Sequence, residues 1–415
     1  MIMKGEKGMA KRTTILISIM SLVLILSGVL WSAEMKGPIK IGVIYSKTGI
    51  LAEHGRHADM GIGMALEELN AKGGLLGRKV ETIWRDDQSK AEVATREANA
   101  LLFDEKVDVL LGTLLGNTGN AVSVVSKEQK VPFIVLTQIG NLTMEDGHRY
   151  IFRGVSSSIM NSRAQVLNLQ GKKFRTAWTI TFDYSFGHQV ITSTKEYMAQ
   201  KVPEIKILGE SWPPLSETDF TSYISQIMRA KPDVVIAYIF GSGLAAFLRQ
   251  ARPQGLFEKI NIALDCNPDN IRPLGMDFGK GILGWAFYDI TLDTPNNKTF
   301  VKNFVDRYKE YPAFTAAVFY TGIYSIANAI EKAGTTDKEA IVDALEKVRV
   351  PCPYGEISYR ACDHQGTFPV VVGETSLMSG KNWYLLGQNV RGIPAEQLWP
   401  TCEEVMTARK GAAKK

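Results

Sequence analysis

The spacing of apolar residues changes twice between residues 39 and 80. Ile39, Ile41, Val43 and Ile44 form an apolar run of strand length. Ser46, Thr48 and Gly49 then break it with turn chemistry. From His57 onward Ala58, Ile62, Ala65, Leu66 and Leu69 recur every three or four residues, which places them on one helix face, with Asp59, Glu67, Glu68 and Asn70 off that stripe. Gly73 and Gly74 supply the positive φ that ends a helix, and a second strand follows from Val80 to Trp84. The pattern predicts the opening βαβ unit of a parallel sheet. Ligands of such sheets sit outside the carboxyl ends of the strands, so the loop over residues 45–55 is the first candidate site.

The alternation continues. Asp86 and Asp87 end the second strand, Ser89 is placed to cap a helix carrying Ala91, Ala94, Ala98 and Leu101 or Leu102, and VDVLLG reads as a third strand. The polar loop TLLGNTGNA, a helix through Val122 and Val125, and the strand VPFIVL complete a first series. A second series begins near residue 160, with the strand TAWTITF, the loop DYSFG, a helix from His188 to Gln200, the strand IKILGESW, and DFTSYISQIMRAKPDVVIAYIF as a helix running into a strand. GSGLAAFLRQARPQGL, INIALD and CNPDN extend it, and the apolar helices FVKNFVDRYKEY and TAAVFYTGIYSIANAIEKAG then require a sheet to cover. The expected fold class is α/β, with two Rossmann-like lobes in tandem built on parallel sheets.

With 415 residues the chain exceeds one core, which agrees with two lobes. Lys4, Lys7, Lys11 and Arg12 precede an uncharged apolar run from Ile15 to Leu30, the layout of a secretory signal peptide over residues 1–33. Ser32 and Ala33 are candidate cleavage-site residues, Trp31 fits that site poorly, and an uncleaved anchor is the alternative. No cysteine closely follows the run, so a lipid-modified cysteine is not expected, and the absence of a second long apolar run predicts a soluble remainder. The net charge of +5 is carried by the two ends: the leader contributes +3 and the tail bases Arg409, Lys410, Lys414 and Lys415 contribute +4, leaving −2 for the body. A nucleic-acid surface is therefore not expected; the tail over 406–415 reads as a solvated, frayed terminus. Cys266, Cys352, Cys362 and Cys402 suit an oxidising compartment, and Cys352 with Cys362, flanking PYGEISYRA, are the disulfide candidate. A zinc site on Cys352, Cys362, Asp363 and His364 lacks paired short cysteine spacing, so no metal is expected.

The opening stretch with NAKGG and Asp86-Asp87, VPFIVL with its polar loop, Asp183–Gly187, LRQARPQGL and PYGEISYRACDHQG together resemble, in order and spacing, the exported solute-binding proteins of ABC importers. The branch is the type I fold, the leucine/isoleucine/valine-binding group, and the resemblance spans roughly residues 39–374. It implies two lobes joined by a three-crossover hinge: lobe 1 over 36–154 plus 286–355, lobe 2 over 155–285 plus 356–405, with crossovers near Gly154, Trp285 and Glu356. It also implies a small-molecule ligand, an ABC permease as partner, a periplasmic or extracytoplasmic location, a monomer and no cofactor. The family's ligand positions fall on His54 in the first loop, on Leu115, Gly116 and Asn117 after the third strand, and on Thr137, Gln138 and Ile139 in the next loop. In the second lobe they fall on Phe186, Phe240 and either Asp265 or Cys266, where the family pairs the ligand ammonium. Gly116, Ile139, Phe186 and Phe240 all lack a hydroxyl that the family pattern carries. That shifts the expected ligand from a branched-chain amino acid toward an aromatic or apolar carboxylate, because unpaired buried polar groups cost about 1–3 kcal/mol each.

Other function classes are weaker. Residues 241–246 read G-x-G-x-x-A after a strand, with Asp265 at the end of the next strand, about the spacing of a dinucleotide fingerprint. Its place in the second lobe of an apparently exported chain argues against it. Lys47-Thr48-Gly49 lacks the Ser-x-x-Lys and Ser-Asp-Asn of penicillin-recognising enzymes, and G-x-S-x-G, P-loop and H-E-x-x-H motifs are absent, so no enzyme activity is expected. Asn141-Leu-Thr143 and Asn297-Lys-Thr299 match glycosylation acceptors, relevant only to a eukaryotic secretory route. A sensory receptor built on the same lobes, without transport, is the remaining alternative.

Overall fold

The computed structural model describes residues 37–412 apart from 49–50, 272–273, 275–278 and 378–383. The expected signal peptide and Gly49 of the first loop lie outside the described residues. Among the described residues no helix is long and apolar enough to cross a membrane.

Five strands form the first sheet: β1 (Ile39–Ile44), β2 (Val80–Arg85), β3 (Val109–Gly112), β4 (Phe133–Val135) and β5 (Ile151–Arg153). Their order is β2-β1-β3-β4-β5 and every pairing is parallel. Helices α1 (Ala52–Ala71), α2 (Ala91–Phe103) and α3 (Gly116–Gln129) connect the first four. β1, β3 and β4 are buried almost throughout, as parallel strands covered on both faces must be.

After β5 the chain enters a second sheet of β6 (Thr176–Thr181), β7 (Lys206–Ser211), β8 (Val234–Tyr238), β9 (Asn261–Asp265) and β10 (Leu283–Ala286), all parallel. Its helices are α4 (Ser158–Leu169), α5 (Ser185–Lys201), α6 (Thr221–Ala230) and α7 (Gly241–Ala251). The chain then returns to the first sheet with α8 (Pro295–Tyr308), α9 (Phe314–Ala333) and α10 (Lys338–Leu345). The apolar α9 covers that sheet: a side-chain carbon at Gly61 of α1 would lie 2.2 Å from the Ala316 carbonyl oxygen, and one at Gly322 would lie 2.6 Å from Leu111 of β3. A hairpin of β11 (Val350–Cys352) and β12 (Gly355–Ile357) follows. Finally β13 (Val370–Leu377) and β14 (Tyr384–Ile393) add antiparallel to β10, giving the order β14-β13-β10-β9-β8-β6-β7.

The last passage between sheets falls later than Glu356. Ile357 and Tyr359 stay buried on the first-sheet side, Tyr359 edge-on to Phe152 at 5.3 Å, and Gln365 bridges Arg153 in parallel. Helix α1 begins at Ala52, ahead of the apolar periodicity, because the polar His54 and His57 are themselves buried. Ser89 does not cap α2. Its backbone N–H donates to Asp87 Oδ1 (2.9 Å) and its hydroxyl meets that of Ser46 (3.0 Å), since the buried Asp87 carboxylate demands donors.

The disulfide differs from expectation. Cys352 pairs Gly355 in the hairpin register, so only Pro353 and Tyr354 make the turn, and the Cys352 thiol is buried in the core. Cys362 lies beyond the hairpin and is bonded to Cys402, with Cα atoms 6.0 Å apart, while Cys266 and Cys352 are free. The terminal basic segment also differs: α11 (Cys402–Ala412) extends through most of it, and Arg409 donates to the carbonyls of Met144 (3.0 Å) and Thr143 (3.3 Å). The crosslink spans a sequence separation of 40 residues. Cys402→Ser is expected to lower unfolding free energy by about 2–4 kcal/mol in urea titrations. Non-reducing peptide mapping of the wild type should recover the 362–402 pair, and recovery of a 352–362 pair would contradict this pairing.

Candidate ligand-binding cleft

Both sheets reverse strand order once: β1 and β3 lie side by side in the first, β6 and β8 in the second. A parallel sheet leaves a crevice at such a switch point, because the connections on either side run to opposite faces. The loops that follow these four strands carry most of the cleft, and each is held by identifiable contacts.

The loop after β1 is stitched to the end of β2. Ser46 Oγ donates to Asp87 Oδ1 (2.5 Å), Thr48 Oγ1 to Asp86 Oδ2 (3.1 Å), and the Lys47 backbone N–H to Asp86 Oδ1 (3.3 Å). The Lys47 ammonium lies 3.8 Å above the Trp84 ring and 2.8 Å from Asp59. Leu51 then precedes α1, and within α1 the His54 ring meets Phe314 edge-on at 5.6 Å. Burial lowers the His54 pKa to about 4, so the imidazole is neutral at pH 7.

The loop after β3 needs glycine at Gly112, whose φ is 129° and where a side chain would strike the Ile44 carbonyl. It ends at Leu115 and Gly116, and α3 starts there without a side-chain cap, so its first backbone N–H groups face outward unclaimed by the helix. The adjacent loop after β4, residues 136–140, packs directly on α3: a side-chain carbon at Gly119 would be 2.5 Å from Thr137 Cγ2, and one at Gly116 would be 3.1 Å from Ile139 Cδ1.

In the second sheet, the turn after β6 places Tyr184 and Phe186 at the start of α5, and the turn after β8 places Phe240 before α7. Ring centroids are 5.7 Å apart for Tyr184–Phe186 and 6.4 Å for both Phe186–Phe240 and Tyr184–Phe240, with Phe182 behind Phe240 at 5.4 Å. Asp265 ends β9 in register with Trp285 of β10. Its Oδ1 accepts from the backbone and side-chain N–H groups of Asn267, and its Oδ2 from Asn270 Nδ2 (3.0 Å).

These elements enclose a cleft of about 750 Å³, its open mouth included. The first-sheet wall is Leu51, His54, Leu114, Leu115, Gly116, Leu136, Thr137, Gln138, Ile139 and Phe314; the second is Tyr184, Phe186, Tyr238, Ile239, Phe240, Asp265, Asn270, Trp285 and Phe287. A largely apolar lining with a few polar groups is the character of small-molecule sites.

The periplasmic binding protein family model matches residues 38–382. The chain belongs to that family. A curated relative, Leu/Ile/Val-binding protein homolog 7 of Brucella suis biovar 1 (strain 1330), is 26% identical over 338 residues, covering 77% of this chain and 83% of the relative. An ABC-type branched-chain amino acid transporter protein from Rhodopseudomonas palustris CGA009 superposes with a TM-score of 0.74 at 25% identity, covering 88% of this chain and 99% of that one. A solute-binding protein of an ABC transporter from Rhodopseudomonas palustris BisB5, solved with 3,4-dihydroxybenzoic acid, shares the fold with a TM-score of 0.78 at 22% identity, covering 86% and 98%. The present chain is thus a solute-binding protein of the ABC-importer class with the type I two-lobe fold, and its family is extracytoplasmic.

Of the positions singled out in the sequence of this binding protein, His54, Leu115, Gly116, Thr137, Gln138, Ile139, Phe186, Phe240 and Asp265 line the cleft. Asn117 and Cys266 do not. Asn117 is exposed on the outer side of α3, donating to the Ser89 carbonyl (3.1 Å). Cys266 follows Asp265 and, with the alternation of an extended chain, turns to the opposite face against Gly284. Tyr184 was missed although it lies two residues before Phe186. Trp285 in β10, Phe287 just after it and Phe314 at the start of α9 were missed because their apolar pattern reads as core and carries no site signal. The fingerprint-like glycines have packing roles: Gly241 donates its N–H to Asn270 Oδ1 (3.0 Å), and Gly243 admits the Phe182 ring.

Burial raises the Asp265 pKa to about 7, against the donors from Asn267 and Asn270. A raised folded-state acid pKa means that stability is lost as pH climbs from the unfolded value near 4 through 7. Asp265→Asn is therefore expected to gain in melting temperature relative to wild type as pH rises from 5 to 8, by scanning calorimetry; a difference independent of pH would contradict the shift.

Proposed function

We propose that this binding protein captures a small aromatic or apolar carboxylate by closing its two lobes over it. The observation that carries the reading is the second-lobe wall: Tyr184, Phe186, Phe240 and Trp285 present rings, while the acid among them, Asp265, is already tied to Asn267 and Asn270 and titrates near 7. The Asp265 oxygens already accept from Asn267 and Asn270, and His54 is uncharged, so an ammonium group would have to compete with those donors. A carboxylate is better served, by the uncapped start of α3 at Leu115 and Gly116. The 3,4-dihydroxybenzoic acid held by the Rhodopseudomonas palustris BisB5 protein is of the same class. Ligand contacting both walls favours the closed state over the open one, and closure is the signal that a membrane permease reads. In this reading the protein acts as an exported monomer without chemistry of its own. An α-amino acid is the second reading, favoured by the presence of Asp265 in the wall.

Calorimetry over benzoate, 4-hydroxybenzoate, 3,4-dihydroxybenzoate, phenylacetate, leucine and valine separates the two. Micromolar or tighter binding is expected for at least one aromatic acid, with leucine weaker by tenfold or more; micromolar leucine binding without any aromatic ligand would overturn the proposal. Phe240→Ala should weaken the aromatic ligand by about 1–3 kcal/mol, and an unchanged affinity would place the ring outside the contact.

A further inference from the structure

Behind the ligand wall lies a cation that forms no ion pair with a carboxylate among the described residues. Arg153, the last residue of β5, is fully buried. Its guanidinium donates to the carbonyl oxygens of Thr137, Ile139 (2.5 Å) and Gly140 (3.4 Å) and to Thr143 Oγ1 (3.4 Å). Among the described residues no acidic side chain lies within salt-bridge distance of it, and its Nε has no partner. The carboxylate whose field reaches it, Asp363, is already forked onto Arg360 (2.9 and 2.5 Å). Burying a charge with dipoles alone is costly, and a structural tether for three carbonyls needs no such charge.

Resting on the carboxylate reading above, we propose that Arg153 sets the charge preference of the cleft. It holds the 137–140 loop from behind and places a positive charge one backbone layer from the ligand, so that an anion in the cleft is the counter-ion the fold lacks. Two features support this. Thr137, Gln138 and Ile139 line the cleft, whereas Arg153 does not, so its charge acts through that loop. In a trans peptide the N–H points opposite to the C=O, so drawing the Thr137 carbonyl toward the guanidinium turns the Gln138 N–H away from it. The corresponding Gly140 N–H is directed across to Gln189 Oε1 (2.8 Å) on α5 of the second lobe. Burial lowers the Arg153 pKa only to about 9, so the charge is present at pH 7. Arg153 is a positioning and specificity residue, with no ligand contact of its own.

The test compares by calorimetry each acid with the amide in which an uncharged group replaces the carboxylate: benzoate with benzamide, and leucine with leucinamide, whose ammonium group is kept. Wild type is expected to prefer the acid of at least one pair by roughly ten- to thirtyfold, the scale of one charge acting across a protein layer. Arg153→Gln should reduce that preference to within about threefold by weakening the acid and leaving the amide little changed. Arg153→Lys, which keeps the charge and loses the fork, should keep the preference at a lower absolute affinity. Equal losses for acid and amide in Arg153→Gln, or loss of preference in Arg153→Lys, would show a purely structural residue and overturn the proposal. So would a wild type that binds each amide as well as its acid, or that binds neither acid. Binding of leucine without benzoate would remove the aromatic reading and leave Arg153 to be decided on the leucine pair. Melting curves of both variants confirm that folded protein is being compared.

Discussion

The order reversal in each parallel sheet is the constraint on which the rest depends. Strands β1 and β3 must send their connections to opposite faces, as must β6 and β8, so a gap opens at the carboxyl ends of each pair. Helices α3, α5 and α7 begin at these gaps, none with a side-chain cap, and their first turns present backbone N–H groups that the helix cannot use. A cleft between the two sheets is therefore polar at its backbone before any side chain is chosen. Side chains then decide what it accepts. Here they add rings on one wall and many aliphatic groups on the other, which leaves the helix starts and the 137–140 loop as polar features beside His54, Asp265 and Asn270.

The loop over 137–140 also couples the lobes. Besides Arg153 behind it, it meets the second lobe through three hydrogen bonds. Gly140 N–H donates to Gln189 Oε1, the Ser158 N–H donates to the Gln138 carbonyl (2.7 Å), and Asn161 Nδ2 donates to Gln138 Oε1 (3.2 Å). A ligand resting on Thr137–Ile139 thus touches a segment already engaged with α4 and α5, so binding and lobe position share one set of contacts. The C-terminal segment makes a second link: Arg163 of α4 donates to the carbonyls of Leu398 (3.0 Å) and Trp399 (2.9 Å), and Arg409 of α11 reaches the 143–144 loop beside β4. Cys362–Cys402 anchors the start of that helix to the segment after β12.

The fold was legible because period carries it. Apolar runs of strand length alternating with stripes at helical spacing identify both sheets, and the glycines after α1 do adopt positive φ, at 99° for Gly73 and 76° for Gly74. What period cannot carry was missed. Cys362 pairs with Cys402 through three-dimensional proximity across 40 residues, whereas sequence proximity favours Cys352, which the hairpin register buries. Asp265 and Cys266 differ by one residue and therefore by a whole face, a distinction that alignment slack erases and strand alternation restores. Asn117 follows Gly116 by one residue, and the turn of the helix carries it to the exposed side. Phe287 just follows β10 and Phe314 opens α9, and at such element ends no periodic pattern announces which side chain faces the cleft.

The departures from the amino-acid-binding pattern are not independent of one another. A serine at position 116 would place its Cβ within about 3.1 to 3.4 Å of three Ile139 carbons, so Gly116 and Ile139 fit as a pair in which the missing side chain of one leaves room for the branched side chain of the other. Restoring the hydroxyl alone would crowd Ile139, and shortening Ile139 alone would open a void beside α3. On the opposite wall Phe240 is bracketed by Phe182, Tyr184 and Phe186, so its ring is held at an orientation that a lone aromatic substitution would not reproduce. On the reading proposed above, these two packed clusters facing each other across one cleft suit an apolar ligand body. The polar demand that remains is then concentrated at the α3 start and the loop held by Arg153, which is where a single carboxylate would be placed.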